Sequence, residues 1–360
     1  MSRKALRLLH LRLRNPVKVP RIIRSPNIAV YWEKDKLICE EYLKQIKIEA
    51  SPSVIEILDH FSSPKRDFSG LHKGHIGLKK AAGKLMRLGF LNAYMQADKS
   101  MALDKWHWGH AAKYFLFSTK NANIAASKKI RSSYVKGLYK SSLQPSLYKN
   151  YTGVKSVKLE KPRCNSQGYS MVLGVRDASG FTKKAISKED LSRFLFAVWG
   201  EQGKTRTKAF GDLLIKTSRS AGYRHPIEAY VVAINVSGVV PGLYHYNVKK
   251  HVLDLIKKGD FARTAYDLGC KQKTFFNAPC YIVMAAMIDR TMWKYRHEQG
   301  LRFLFLDAGH LSQMAYITAR SLGLGLFTTF TVRHSKAEKL FKLDPYKETV
   351  LTLTAVGVEK

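Results

Sequence analysis

Acidic residues are scarce in this chain: 27 Asp and Glu stand against 62 Lys and Arg in 360 residues, a net charge of +35. So cationic a surface attracts polyanions and leaves nucleic acid, an acidic peptide and a membrane surface open as partners, beside a merely basic composition. Cysteine is equally sparse. Cys39, Cys164, Cys270 and Cys280 form no CxxC pair and have no matching His spacing, which excludes a zinc ribbon or a disulfide framework and fits a reducing cytoplasm. The close pairs His72/His75 and His107/His110 lack a third ligand at useful spacing, so no metal is expected. No run approaches the roughly 18 apolar residues that span a bilayer, and the expectation is a soluble cytoplasmic protein. No internal repeat is visible. The glycines of Gly323–Gly325 follow a helical pattern instead of a strand and lack the third glycine of a dinucleotide fingerprint, which excludes a Rossmann reading.

What is present is a 45% apolar chain, long enough for more than one core, and two compact parts are expected. The basic excess is uneven. Met1 to Arg24 carries eight basic residues and no acid, and Asp104 to Arg163 carries thirteen against Asp104 and Glu160 alone. We read residues 1–27 as a basic arm, either a disordered one or a short amphipathic helix, and 28–96 as a winged-helix-like domain. Residues 97–168 read as a basic linker and 169–360 as a larger α+β domain. In the front part, IAVYWEKDKLICEEYL alternates around Glu33-Lys34-Asp35 as a hairpin does. Ser53 is the expected N-cap of a first helix, with Glu56 at the capping-box position. A second amphipathic helix through Leu78, Ala82, Leu85 and Met86 stops at Gly89.

The last half is denser. SKEDLSRFLFAVW places Leu191, Phe194, Leu195 and Val198 on one helical face behind the cap Ser187, and Gly200 ends it. Glu228–Val236 and Cys280–Met287 read as buried strands, and LYHYNV with HVLDLI as a hairpin. Phe303–Leu322 reads as a long helix and Thr349–Val358 as a final strand. Strands and helices interleaved with hairpins predict an α+β sheet packed by helices.

The loop Lys216-Thr-Ser-Arg-Ser-Ala-Gly-Tyr-Arg-His-Pro226 is rich in small residues and hydroxyls, a composition that lets backbone approach a flat or phosphorylated ligand. Four segments taken in order carry more: KTSRSAGYRHPIEAYVV, PGLYHYNVKKHVLDLI, DRTMWKYRH and LDAGHLSQMAYITARSLGLGLFTT. Together they resemble the SagB-type dehydrogenases and azoline oxidases, the thiazole- and oxazole-forming branch of the FMN-dependent nitroreductase superfamily. The resemblance covers roughly half the chain, and YWEKDKLICEEYL and WGHAAKYFLFSTKN also look like the front of that branch.

The resemblance implies a nitroreductase-like flavin fold, a homodimer with FMN at the subunit interface, and oxidation of a peptide or peptide-like substrate with hydride passing to flavin N5, in natural-product biosynthesis with a biosynthetic partner protein. On that basis Lys294 and Tyr295 match a pair that assists deprotonation, which suits a reaction that must shed a proton as hydride leaves. The alternative is an aromatic and cationic edge of the sheet. Ser218, Ser220 and Gly222 match the loop that approaches the flavin ring. Thr328, Thr329, Phe330 and Thr331 match the segment facing its reactive edge. Arg176 falls near the usual phosphate-binding arginine. There the text departs from the pattern: Asp177 and Ser179 stand where Ser and a cation are usual. A carboxylate beside a phosphate is unfavourable, so either another base compensates, with Arg219 and Arg224 the candidates, or flavin binding is weakened. Gln313 and His310 match family positions on the long helix, His310 either in the site or as a satisfied core residue. The rival reading is a nucleic-acid-binding protein whose winged helix and basic bridge grip phosphate, with a degenerate flavin domain.

Overall fold

The computed structural model describes residues 21–67, 77–94, 106–120, 137, 167–208 and 211–360. The first 20 residues of the basic arm, His72 and His75, Cys164 and most of the basic bridge lie outside them. The chain divides into two compact units, Met1–Thr119 and Lys120–Lys360.

In the first unit, β1 (Ile22–Arg24) precedes a meander of β2 (Ile28–Glu33), β3 (Lys36–Glu41) and β4 (Ile46–Glu49). The hairpin pairs Glu33 with Lys36, and Lys34 takes the positive φ (57°) that its two-residue turn demands. The first helix, α1 (Pro52–His60), starts two residues earlier than the Ser53 cap predicts. Ser51 is its N-cap and makes no side-chain cap bond, because Pro52, with φ preset and no N–H to satisfy, begins the helix instead. The second helix, α2 (Leu78–Leu88), ends at Gly89, whose left-handed φ of 82° supplies the C-cap as expected. β5 (Leu91–Ala93) returns antiparallel to β1. Ile57, Leu58 and Phe61 meet Leu85 and Phe90 in one core. The aromatic segment forms α3 (His110–Ser118), tied to β3 by Tyr114 Oη donating to Glu40 at 2.9 Å.

Among the described residues, the second unit has first α4 (Gln167–Leu173), β6 (Ile186–Ser187) and α5 (Lys188–Trp199). Ser187 Oγ caps α5 by accepting from Asp190 N, and the four residues of the predicted apolar face are all buried. A hairpin that the sequence reading missed follows, β7 (Gly203–Thr207) and β8 (Gly211–Ile215). Next come β9 (Ile227–Ala233), β10 (Val236–Ser237), β11 (Gly242–Asn247), β12 (Val252–Lys258) and α6 (Ala262–Leu268). The chain ends with β13 (Cys280–Met287), α7 (Ile288–Lys294), α8 (Gly300–Ser321), β14 (Gly325–Thr329), α9 (His334–Phe341) and β15 (Glu348–Gly357).

Six strands make one sheet in the order β12-β11-β9-β13-β15-β14, every neighbour antiparallel. The outcome is the expected α+β sheet packed by helices. Tyr281, Val283 and Ala285 point to a core shared with α6 and α9. Met284 points the other way and meets Ser312 of α8. With both faces covered, β13 has no solvated side, which is why it reads as an unbroken apolar run. A buried ion pair reinforces this unit: Lys120 Nζ lies 2.6 Å from Glu338 Oε1, which also accepts from Thr349 Oγ1 and Val350 N.

Candidate functional site

The loop between β8 and β9 folds around one buried carboxylate. Asp307, on α8, accepts from Ser220 Oγ at 2.5 Å and from Ala221 N at 3.2 Å. Burial raises its pKa, and those two donors oppose the rise. Ser220 Oγ also accepts from His225 N, so a single serine closes the loop on itself and pins it to α8. His310, one turn along α8, holds the same loop from its Nδ1 to Arg219 O at 3.2 Å, donating in the Nδ1–H tautomer. It is exposed, and so not the core histidine of the alternative reading. Ser218 is buried, and its Oγ has no hydrogen-bond partner among the described residues.

At the tip of this loop Gly222 adopts φ 57°, ψ 26° within a turn of 3-10 helix. A Cβ on it would lie 2.5 Å from Lys294 Nζ and 2.6 Å from Tyr295 Oη. Glycine suits the left-handed backbone, and a side chain here would displace the ends of Lys294 and Tyr295. Lys294 is the last residue of α7 and Tyr295 its C-cap, so the pair ends a helix and is not an edge of the sheet. Tyr295 packs edge-on against Phe303 with ring centroids 4.8 Å apart, and Lys294 Nζ stands 5.7 Å from the Tyr295 ring centre. Both are half-buried. Arg224 stacks over Trp293 at 5.3 Å and donates Nε–H to Gly222 O.

The other predicted residues gather elsewhere. Tyr316 Oη donates to Asp177 and accepts from Thr328 N at 3.1 Å, tying the segment after α4 to β14. Burial and the Asp177 carboxylate push the Tyr316 phenol up to about 12. Thr328 Oγ1 pairs with Thr354, Thr329 Oγ1 accepts from Gln272 Nε2 at 2.9 Å and from Thr331 N, and Phe330 is exposed. Arg176 lines a crevice with Tyr316, Arg320 and Glu359. The cation beside Arg176 within the subunit is therefore Arg320, and Arg219 and Arg224 belong to the first cluster. Ser179 is exposed, its N–H donating to Glu359, and Gln313 is exposed on α8. Asp307 and Tyr316, which anchor the two clusters, are separated by about 13 Å along α8 and about half a turn round it.

Asp307, Tyr316 and Arg320 were not singled out from sequence. The first two lie far along the chain from Ser220 and Asp177, and nothing local marks a helix residue as the anchor of a distant loop. Among the described residues no group of His, Cys, Asp and Glu can hold a metal, and no helix is long and apolar enough to cross a membrane. Among the described residues, Cys39, Cys270 and Cys280 are in no disulfide.

Comparison with known proteins places these features in a family. The trifolitoxin-processing protein TfxB of Rhizobium leguminosarum bv. trifolii is 33% identical over 155 residues, 41% of this chain and 41% of that protein. This chain thus spans about two fifths of that relative. A nitroreductase-family protein of Methanocaldococcus jannaschii, MJ1384, is 30% identical over 182 residues, 51% of this chain and 86% of its own. The Escherichia coli microcin synthetase McbBCD complex with truncated pro-MccB17 bound is similar to 63% of this chain and 82% of its own, with a TM-score of 0.49 and 18% identity. The model of the nitroreductase family, whose members typically bind a flavin, matches residues 176–358. That match covers just over half the chain and takes in both clusters, and the chain belongs to the nitroreductase family of oxidoreductases.

Proposed function

We propose that this oxidoreductase is FMN-dependent and of the SagB type, oxidising a peptide or peptide-derived substrate from azoline to azole or by a related C–H oxidation. The observation that carries the reading is the approach of the Gly222 backbone to Lys294 and Tyr295, which brings a side-chain-free loop against a proton-handling pair. The trifolitoxin-processing relative supports a substrate of the antibiotic-peptide kind.

The residues present fit a flavin. Ser218 Oγ is a buried hydroxyl awaiting a partner in the loop that resembles the ring-facing one. Arg176 and Arg320 would hold the phosphate, and the Asp177 carboxylate is engaged by Tyr316 Oη, which spreads the charge that would otherwise repel it. Backbone of Thr328 to Thr331 would border the ring. Bound there, the flavin supplies a hydride acceptor at N5. Lys294 and Tyr295 would receive and hold the proton that the substrate loses, at Nζ and Oη. The two clusters are set about half a turn apart on α8, so one subunit turns them to different sides. A homodimer resolves this, with the Gly222 loop of one subunit covering a flavin held by Arg176 of the other.

The test begins with the visible spectrum of the purified full chain, which should show the oxidised-flavin bands near about 370 and 450 nm. An azoline-bearing peptide should then bleach them under anaerobic conditions. Protein that stays colourless with excess FMN and gives no binding heat overturns the cofactor. A coloured protein that no azoline peptide bleaches overturns the substrate class.

A further inference from the structure

Away from the Lys294 side of the loop, a cleft of about 560 Å³ opens between the β7–β8 hairpin, the chain entering β9, the β11–β12 turn and α7. That volume suits a small ligand or one side chain of a larger one. Its cations are Lys204, Lys216, Arg224, Lys249 and Arg290, against the carboxylates Glu201 and Glu228. Both acids are already engaged. Glu228 accepts from His245 Nε2 at 2.7 Å and from Arg290 Nη1, and Glu201 lies 3.6 Å from Lys204 Nζ.

Three cations are left over. Lys216, Arg224 and Lys249 form no salt bridge among the described residues, and Lys216 is half-buried with no hydrogen bond from its ammonium to any of them. An ammonium taken out of water without an acceptor costs free energy that an incoming anion restores. Burial, the largest influence, lowers Lys216 to about 8. Arg290 adds to the fall, and Glu228 and Glu201 oppose it. Arg224 stacks on Trp293 and spends Nε on Gly222 O, which orients its terminal amino groups, and these donate to no acceptor among the described residues. His225 is pushed down to about 4, by burial first and Lys216 next, so it enters as a neutral ring bonded to Leu214 O.

We propose that this cleft is a carboxylate-binding site, in which Lys216 and Arg224 grip the acidic group of the substrate peptide and Lys249 screens it at the rim. A carboxylate, with one charge per group, matches the site better than a phosphate that concentrates two charges on one group, because Glu228 forms part of the wall. Arg224 stands two positions from Gly222, so a chain anchored here runs along the loop that meets Lys294 and Tyr295. That the carboxylate belongs to a peptide rests on the oxidase reading; the capture of a carboxylate does not.

Calorimetry on the full chain at fixed ionic strength tests both parts without turnover. Glutarate should bind and neutral glutaramide should not. Lys216→Gln should weaken glutarate roughly tenfold to a hundredfold, as loss of a charge-assisted contact does. Lys342→Gln, on the C-cap of α9 and outside the cleft, should leave it unchanged. Equal binding of glutarate and glutaramide, or equal effects of the two lysine variants, overturns the site. Inorganic phosphate binding more tightly than glutarate with the same Lys216 dependence overturns the choice of carboxylate. N-acetyl-Ala-Glu-Ala-amide should displace glutarate and its Gln counterpart should not. A Glu peptide that fails to displace bound glutarate overturns the peptide as carrier. A colourless protein that still binds glutarate through Lys216 separates failure of the flavin reading from failure of this one.

Discussion

Gly222 lies so close to Lys294 that a Cβ on the glycine would stand 2.5 Å from the lysine Nζ, and its φ of 57° is one that a side chain resists. Gly222→Ala should therefore do two things at once. The left-handed backbone should cost about 1 to 3 kcal/mol, and the methyl should push Lys294 and Tyr295 away from the loop. The expected result is a modest fall in the unfolding midpoint and a larger fall in the rate of flavin reduction by substrate. A variant with normal reduction kinetics shows that the approach has no part in the chemistry.

Removing the pair itself separates binding from chemistry. Lys294→Ala and Tyr295→Phe should each keep the flavin and slow single-turnover reduction by about 10² to 10⁴, the usual worth of general-base assistance. The double variant should fall well short of the product of the two effects, because the residues act as a unit. A structural pair gives the opposite pattern: flavin or folding is lost, and whatever holoenzyme remains reacts at the normal rate.

Much of the large sheet was legible because burial leaves a mark on composition. β13 could be bounded from its apolar run, and α5 from its cap, its apolar spacing and Gly200. α7 was not, since Met287 offers no side-chain cap and the helix is a short continuation of a strand; its sequence therefore passed for a sheet edge. The polar β7–β8 hairpin, GKTRT paired with GDLLI, was missed for want of an alternating apolar face. In the candidate site the loop, the Lys-Tyr pair and Arg176 came from motif wording. The Asp307 anchor, the Tyr316 bridge and the grouping of Arg176 with Arg320 needed the fold, because they join residues that the sequence keeps apart.

The phosphate end makes a separate prediction. Arg176→Ala and Arg320→Ala should each weaken FMN binding by about 1.5 to 3 kcal/mol, the worth of a charge-assisted contact. Tyr316→Phe should also weaken it, since it releases the Asp177 carboxylate and leaves Thr328 N without its acceptor. Asp177→Asn should restore part of the loss in the Tyr316→Phe background. Fluorescence titration of apoprotein with FMN measures all four, and unchanged affinity in both arginine variants rules out this end as the phosphate site.

Breaking the Lys120–Glu338 pair should be costly for the second unit. Glu338→Ala takes the carboxylate away from a buried ammonium, and removes the acceptor of Thr349 Oγ1 and Val350 N. Loss of one partner of a buried pair costs roughly 3 to 5 kcal/mol. Burial already lowers the Lys120 pKa, with Glu338 opposing the fall, so in the variant the lysine should shed its proton more readily and recover part of the loss at alkaline pH. Denaturant unfolding should show a lower midpoint for the second unit. A midpoint that does not move would mean the pair contributes nothing net.

The His245–Glu228–Arg290 triad fixes a pH window for stability. Glu228 is drawn in two directions: burial raises its pKa, and His245 and Arg290 more than offset this, so the net shift is downward. A carboxylate lowered in the folded state adds stability above its unfolded pKa, and that contribution fades as pH falls through the folded value. His245 shifts upward, through its hydrogen bond to Glu228 first, with burial opposing. Its contribution is complete below the unfolded pKa of about 6.5 and disappears as pH rises through the folded value. The triad is thus strongest between the unfolded pKa values of the carboxylate and the imidazole, in mildly acidic solution. Thermal unfolding across pH should show His245→Gln losing most in that interval and approaching the parent above the folded pKa of the histidine. Arg290→Gln, which removes a permanent charge from Glu228, should lose stability on the alkaline side as well. A His245→Gln deficit that is constant across the whole range would mean that the ring acts by packing alone and that its proton is not linked to folding.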